Sequence, residues 1–136
     1  MLVQSEWVDF YVSPRGRLAR HPYWTRGLIT FFLIGCAYAI FDRIAHLNGV
    51  FPLLVLALLW PNIAVMGRRL HDVGVSGWWS GAILLAPTFV MLVTGMYQYA
   101  DYAMYTTSAA QALLGVIPGT VGPNRFGPQP ESIRAL

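Results

Sequence analysis

The stretch RRLHDVGVSGWW, residues 68–79, places two arginines, a histidine and an aspartate within five positions at the end of a long apolar run. Arginine presents a planar fork of donors that suits phosphate and carboxylate oxygens. A histidine beside an aspartate can move protons. This stretch therefore has three interpretations: a turn held by ion pairs, a site that binds an anion, and a catalytic pair.

The first interpretation is structural. Cations in the last turn of a helix are favoured by the unpaired carbonyls there, and Arg68 could pair with Asp72 four residues later. Gly74 suits the left-handed conformation that ends a helix, and Ser76 suits the N-cap of the next one. An aromatic pair would anchor this turn at headgroup depth: Trp78 and Trp79. The stretch then forms the hinge of a helical hairpin.

The second interpretation is a site for anionic lipid headgroups. Basic pockets between helices on the cytoplasmic side bind phospholipid heads. The residues expected to bind are Arg17, Arg20, Arg68, Arg69 and His71.

Catalysis by His71 and Asp72 is the weakest interpretation. Neighbours in a helix point about 100° apart, and no nucleophile motif accompanies them. No histidine or cysteine spacing matches a metal site, and no glycine loop could cradle a phosphate. We expect no enzyme activity, no metal and no cofactor.

Composition indicates a membrane environment. Of 136 residues, 56% are hydrophobic and 11% are charged, whereas a soluble domain is roughly 25% charged. All nine basic residues are arginines, and they flank apolar runs instead of forming one exposed stripe. Membrane topology explains this pattern better than nucleic-acid binding. The N-terminus lacks the features of a cleaved signal peptide.

The apolar runs predict an all-α fold, a polytopic bundle of transmembrane helices in a single membrane domain, residues 1–136. A short interfacial segment, 4–12, falls within a cytoplasmic N-terminal part, 1–26, which ends in a headgroup-level aromatic pair, Tyr23 and Trp24. The remaining predicted parts are helices at 27–45, 49–67, 78–98 and 102–118, a cytoplasmic hinge at 68–77 and a tail at 119–136. Proline removes one helical hydrogen bond, so Pro61 and Pro87 should kink the second and third helices.

Three crossings are the alternative to four, because the run at 102–118 is short and only moderately apolar. With the N-terminus in the cytoplasm, four crossings leave only Arg43 outside. Three crossings would also place Arg125 and Arg134 outside. The positive-inside rule therefore favours four crossings. The expected partners are the phospholipid bilayer and anionic headgroups, and a homo-oligomer or a membrane-protein partner stays open.

Three motifs resemble those of the domain-of-unknown-function 805 family. They are GRLAR followed by YW at 16–24, RRLHDVGVSGWW at 68–79 and GTVGPNRFGPQP at 119–130. Two features depart from the family pattern: Pro22 stands where an acidic residue is usual, and the stretch between Pro87 and Gly119 is longer. The resemblance implies a small bacterial inner-membrane protein and gives the central arginines, histidine and aspartate a specific role in folding or binding. We expect a non-enzymatic lipid- or partner-binding module, with a small transporter or channel as the alternative.

Overall fold

The computed structural model describes residues 8–43, 50–95 and 100–130. Within these ranges the chain is all-helical, apart from an isolated two-residue bridge in the tail. A short helix, α1, spans residues 8–12. Four long helices follow: α2 (Arg20–Arg43), α3 (Val50–Val73), α4 (Trp78–Thr94) and α5 (Ala100–Val116). The predicted all-α class is confirmed.

The helix bounds differ from the sequence prediction mainly at the arginine-rich end. Helix α2 begins at Arg20, seven residues before the predicted start, and α3 continues to Val73. The predicted hinge at 68–77 therefore contracts to a turn at 74–77. Parts of the predicted segments lie outside the described residues: 1–7, 44, 45, 49, 96–98 and 131–136.

In the part of the chain that the structure describes, no helix combines the length and the apolar character needed to cross a bilayer. Pro61 lies inside α3 and Pro87 inside α4, and both helices continue through them. Neither proline interrupts its helix, and the kinks stay predictions.

The turn between α3 and α4 follows the sequence prediction at its first residue only. Gly74 has a φ of 88°, and the amides of Gly74 and Val75 bond the carbonyls of His71 and Leu70. This is the Schellman pattern, which needs a left-handed residue at that point. The prediction that Ser76 caps α4 is wrong. The N-cap is Gly77, which is already helical and makes no side-chain cap bond.

Among the side chains that the structure describes, the buried ones lie around the second half of α3. One cluster joins α1 and the start of α2 to α3, and the other joins α3 to α4 and α5. Their buried members are Phe10, Leu18, Tyr23 and Val65 in the first, and Met66, Leu70, Leu84 and Leu114 in the second. The same end of the bundle therefore holds the core and the predicted arginine site.

Candidate functional site

Asp72 lies between two arginines in the core. Its Oδ1 accepts from Arg17 Nε at 3.1 Å, and its Oδ2 accepts from Arg69 Nη1. The side chains of Arg17, Asp72 and Arg69 are 1%, 0% and 0% exposed. We call these three residues the ionic triad. The predicted pairing of Arg68 with Asp72 is wrong, because α3 turns its i, i+3 arginine toward the carboxylate and directs Arg68 toward α1.

Arg17 connects the N-terminal segment to the tail. Its guanidinium donates to the carbonyl of Thr120 at 2.6 Å and to the carbonyl of Gly122 at 2.6 Å. It also donates to the hydroxyl of Thr120 at 3.1 Å. With the bond to Asp72, one planar fork holds three distant parts of the chain in fixed geometry.

Arg69 caps the C-terminal end of α5. It donates to the carbonyls of Leu114, at 3.2 Å, and of Ile117. It also donates to the carbonyl of Leu18 at 3.2 Å. The last carbonyls of a helix have no partner within the helix and carry a partial negative charge. Arg69 therefore satisfies the end of α5 and supplies the charge that this end favours.

The triad contains two cations and one carboxylate in a region closed to water. Burial lowers the pKa of Arg69 from its ordinary value, and the charge of Asp72 opposes that shift. The C-termini of α3 and α5 both end at the triad, and each contributes about half a negative charge. The carboxylate of Asp72 balances the charge of only one guanidinium. The partial negative charges of the two helix ends therefore offset the charge of the second.

The tail seals the triad from the outside. Thr120 donates from its amide at 2.8 Å and from its hydroxyl at 3.0 Å to the carbonyl of Asp72. Asn124 Nδ2 donates to the carbonyl of His71 at 2.9 Å. Gly119 packs so closely that an added Cβ would lie 2.7 Å from the Asp72 carboxyl carbon. Sequence reasoning missed Gly119, Thr120 and Asn124, although all three lie in the third motif.

His71 faces away from the triad. Its ring stacks on Phe126, with centroids 4.1 Å apart and planes at 13°. Its Nδ1 lies 3.0 Å from the carbonyl of Gly16, which requires the proton on that nitrogen. His71 therefore orients the first and third motifs, while Asp72 is held by the arginines.

The remaining predicted residues lie at the rim of this end. Arg20 is exposed and donates from Nε to the carbonyl of Ile117 at 3.3 Å. Trp78 is 90% exposed and Trp79 is 59% exposed. Arg68 donates to the carbonyl of Phe10. The five predicted anion-binding residues therefore have different surroundings. The guanidiniums of Arg17 and Arg69 are enclosed by protein acceptors, Arg68 and His71 each bond a backbone carbonyl, and Arg20 is exposed.

Two aromatic residues that open α2 bond the end of α5. Tyr23 is fully buried and donates to the carbonyl of Gln111 at 2.9 Å, and Trp24 donates to the carbonyl of Gly115 at 3.2 Å. Burial raises the pKa of Tyr23 to about 12, and the charge of Arg69 opposes the rise. The prediction that Tyr23 belongs to a headgroup-level belt is therefore wrong, since its ring lies in the core.

Fold and site together define an all-helical protein in which three segments meet on the buried ionic triad: an N-terminal strap (residues 13–19), the turn between α3 and α4, and a glycine-rich tail (residues 119–130). The chain belongs to the family described as Protein of unknown function (DUF805), whose model matches residues 11–128. The three motifs that carry the resemblance are the three segments that meet at the triad. The expected family membership is confirmed.

Two relatives from Escherichia coli strain K12 match most of the chain. Inner membrane protein YhaH is 30% identical over 133 residues, which cover 89% of this chain and 89% of that protein. Uncharacterized protein YiiR is 25% identical over 135 residues, which cover 90% of this chain and 88% of that protein. No solved structure matches the chain.

Proposed function

We propose that the protein is a non-enzymatic, multi-pass inner-membrane protein whose triad end lies in the cytoplasmic headgroup layer and contacts anionic lipids. The observation that carries this proposal is the contact between the N-terminal strap and the tail at one end of the bundle. Arg17 bonds Thr120 and Gly122, and Arg125 Nη2 bonds the carbonyl of Gly74 at 3.2 Å. The N-terminal strap, the α3–α4 turn and the tail are therefore neighbours.

This meeting limits the possible topologies. Two segments in direct contact at one membrane surface must be separated by an even number of crossings. Helices α2 to α5 lie between Arg17 and Thr120, so the contact supports four crossings over three. The positive-inside rule then favours the cytoplasm for the triad end, since Arg15, Arg17, Arg20, Arg68 and Arg125 belong to it.

Exposed side chains support contact with lipid. The outward faces of three helices carry large apolar residues: Ile29, Phe32, Leu33 and Ile40 on α2, Leu85, Phe89, Val90 and Val93 on α4, and Leu113 and Val116 on α5. Large exposed apolar side chains that recur on the outward faces of several helices are typical of a surface that contacts lipid or another protein. The name of the relative, inner membrane protein YhaH, agrees with a membrane location. Exposed arginines at the triad end, Arg15, Arg20 and Arg125, can meet anionic headgroups, beside exposed Trp78 and Trp79.

The contacts that Asp72 and His71 make with other residues support a non-enzymatic role. Both oxygens of Asp72 accept from guanidinium groups, and its side chain is 0% exposed, so a substrate would have no access to this carboxylate. His71 is stacked on Phe126 and bonded to the carbonyl of Gly16. The alternative of a transporter or channel depended on helices broken at Pro61 and Pro87, and both helices are continuous there.

Reporter fusions test the proposal directly. Green fluorescent protein and alkaline phosphatase are fused after Pro130, and separately inserted between α2 and α3, in cells whose membranes are then fractionated. We expect fluorescence after Pro130, phosphatase activity in the α2–α3 connection, and all fusions in the membrane fraction. A phosphatase-active fusion after Pro130 would contradict four crossings, and a fusion in the soluble fraction would contradict the proposal as a whole.

A further inference from the structure

The turn between α3 and α4 and the tail beside it expose apolar side chains. Val121 in the tail and Trp78 at the start of α4 are both 90% exposed, and Val75 in the turn is 36% exposed. The two segments touch, since a Cβ added to Gly74 would lie 3.5 Å from Cγ2 of Thr120. Val75 and Val121 directly follow these two residues, so both lie where the turn meets the tail. We call Val75, Trp78 and Val121 the apolar tip.

The tail backbone on both sides of Val121 is hydrogen-bonded within the protein. Thr120 donates from its amide to α3 at 2.8 Å and accepts at its carbonyl from Arg17 at 2.6 Å. Gly122 donates from its amide to Oε1 of Gln129 at 2.9 Å and accepts at its carbonyl from Arg17 at 2.6 Å. An exposed apolar side chain therefore lies between two residues whose amides and carbonyls do not need water.

The turn satisfies its carbonyls in the same way. The carbonyl of Gly74 accepts from Arg125 at 3.2 Å. The carbonyl of Gly77 accepts from the amide of Ser80 at 3.0 Å and from its hydroxyl at 2.6 Å. Irregular backbone can approach hydrocarbon only where protein partners satisfy its polar groups. The turn and the tail meet this condition at the bonds described.

The length of α4 favours a deep position for the apolar tip. The helix has 17 residues, with caps at Gly77 and Gly95. At 1.5 Å per residue it is about 26 Å long, whereas the hydrocarbon core of a bilayer is about 30 Å thick. A span that is shorter than the hydrocarbon draws its flanking residues toward the acyl chains or thins the bilayer. At the triad end, those flanking residues belong to the apolar tip.

The charges at the triad end fit an anionic membrane surface. Among the described residues there, Arg15, Arg20 and Arg125 are exposed, and Asp9 is the only exposed acid. An arginine can lay its apolar stem along hydrocarbon while its guanidinium stays among the phosphates. Apolar side chains accompanied by an excess of cations therefore complement a bilayer that contains anionic lipid.

We propose that the apolar tip inserts among the acyl chains of the cytoplasmic leaflet, so that the turn and the tail lie at the boundary between headgroups and hydrocarbon. This insertion rests on the proposed membrane function and adds the depth of the contact and the residues that make it. The proposed function requires only that the triad end reaches the headgroups. The insertion places Val121, in the glycine-rich tail, below them.

Spin labels measure this depth. Cys36, the single cysteine, is replaced by alanine. The full chain then receives one new cysteine at a time, as Val121→Cys, Val75→Cys, Phe89→Cys or Arg15→Cys, and is reconstituted into vesicles of phosphatidylcholine with one quarter phosphatidylglycerol. Power-saturation electron paramagnetic resonance records the collisions of each label with oxygen, which concentrates in lipid, and with a nickel chelate, which stays in water.

We expect the labels at Val121 and Val75 to favour oxygen, as the label at Phe89 on the outward face of α4 should. Burial of a valine side chain in an apolar phase is favourable by about tenfold or more, so the chelate should reach the Val121 label about tenfold less than the Arg15 label. Arg15 is the matched control, because it is exposed on the strap at the same end of the bundle.

The outcomes separate the insertion from the proposed function. Labels at Val121 and Val75 that the chelate reaches, with a Phe89 label that favours oxygen, overturn the insertion and leave the membrane function intact. Labels at Val121 and Val75 that neither reagent reaches show that protein covers the apolar tip, which also overturns the insertion. A Phe89 label that the chelate reaches contradicts the membrane function and the insertion together.

Trp78 provides a second readout, which needs no cysteine and serves if a cysteine variant does not fold. Lipids brominated close to the headgroup quench indole rings that touch acyl chains, and iodide quenches rings in water. The difference in fluorescence between the original chain and Trp78→Phe isolates this ring. We expect the brominated lipid to quench it and iodide to leave it unchanged. Quenching by iodide alone would overturn the insertion.

Discussion

At the residue scale, the triad depends on a single carboxylate. Asp72 accepts from Arg17 and Arg69 through its side chain and from Thr120 through its carbonyl, with no access to water. Removing one partner of a buried pair leaves an uncompensated charge, which costs more than an exposed pair contributes. The spacing of Arg69 and Asp72 in the second motif is therefore explained by their pairing inside the core.

Asp72→Asn should lower the free energy of unfolding by about 3 to 5 kcal/mol, because two buried guanidiniums lose their counter-charge. The measurement is denaturant unfolding of the detergent-solubilised chain, followed by tryptophan fluorescence. Arg15→Gln is the control, since this exposed arginine lies outside the triad and should change stability by less than about 0.5 kcal/mol. A loss of similar size in both variants would contradict the role of the triad.

Tyr23 adds a pH dependence. Its pKa of about 12 lies above the ordinary value of 10.0, so the folded state favours the neutral phenol. This contribution is complete below pH 10 and is lost as the pH rises toward 12, a change of about 2 to 3 kcal/mol. Unfolding between pH 9 and 12 should show a loss that Tyr23→Phe removes and that Tyr105→Phe, at an exposed ring, retains. The same loss in all three proteins would refute the assignment.

At the element scale, the sequence predicts helices well because each apolar run lies between identifiable ends. The left-handed turn at Gly74 could also be predicted, since few other residues adopt that conformation. The partner of Asp72 could not, because i, i+3 and i, i+4 arginines share its face and only tertiary packing selects between them. Likewise, Arg17 and Thr120 are 103 residues apart, and nothing local indicates their contact.

The close approach of the tail to α3 predicts a contrast between two glycines. Gly119→Ala places a methyl group against the fixed carboxylate of Asp72 and should destabilise the chain by about 2 kcal/mol or more. Gly81→Ala, in α4, meets no atom within 4 Å and should stabilise its helix by about 0.5 to 1 kcal/mol. Thermal melts of the two variants provide the comparison. A neutral Gly119→Ala would contradict this packing.

At the scale of the whole molecule, the triad makes one cooperative unit from the two described ends of the chain. The N-terminal strap touches α3, the tail touches α3, and Arg17 touches both. Neither segment has a large core of its own, so each depends on the other for its order. Loss of the bonds that Arg17 makes should therefore loosen the N-terminal strap and the tail together. The helices that lie between these two segments in the sequence should keep their order.

Arg17→Gln tests that dependence, because glutamine cannot supply the fork that joins Asp72, Thr120 and Gly122. Hydrogen–deuterium exchange followed by mass spectrometry should show amides in 13–19 and 119–127 exchanging faster together, by about tenfold or more, because opening no longer breaks several charge-assisted bonds. Residues 82–90 of α4 make no contact with Arg17 among the described bonds and should keep their rates. Faster exchange in only one of the two segments would show that they order independently and would contradict the cooperative unit.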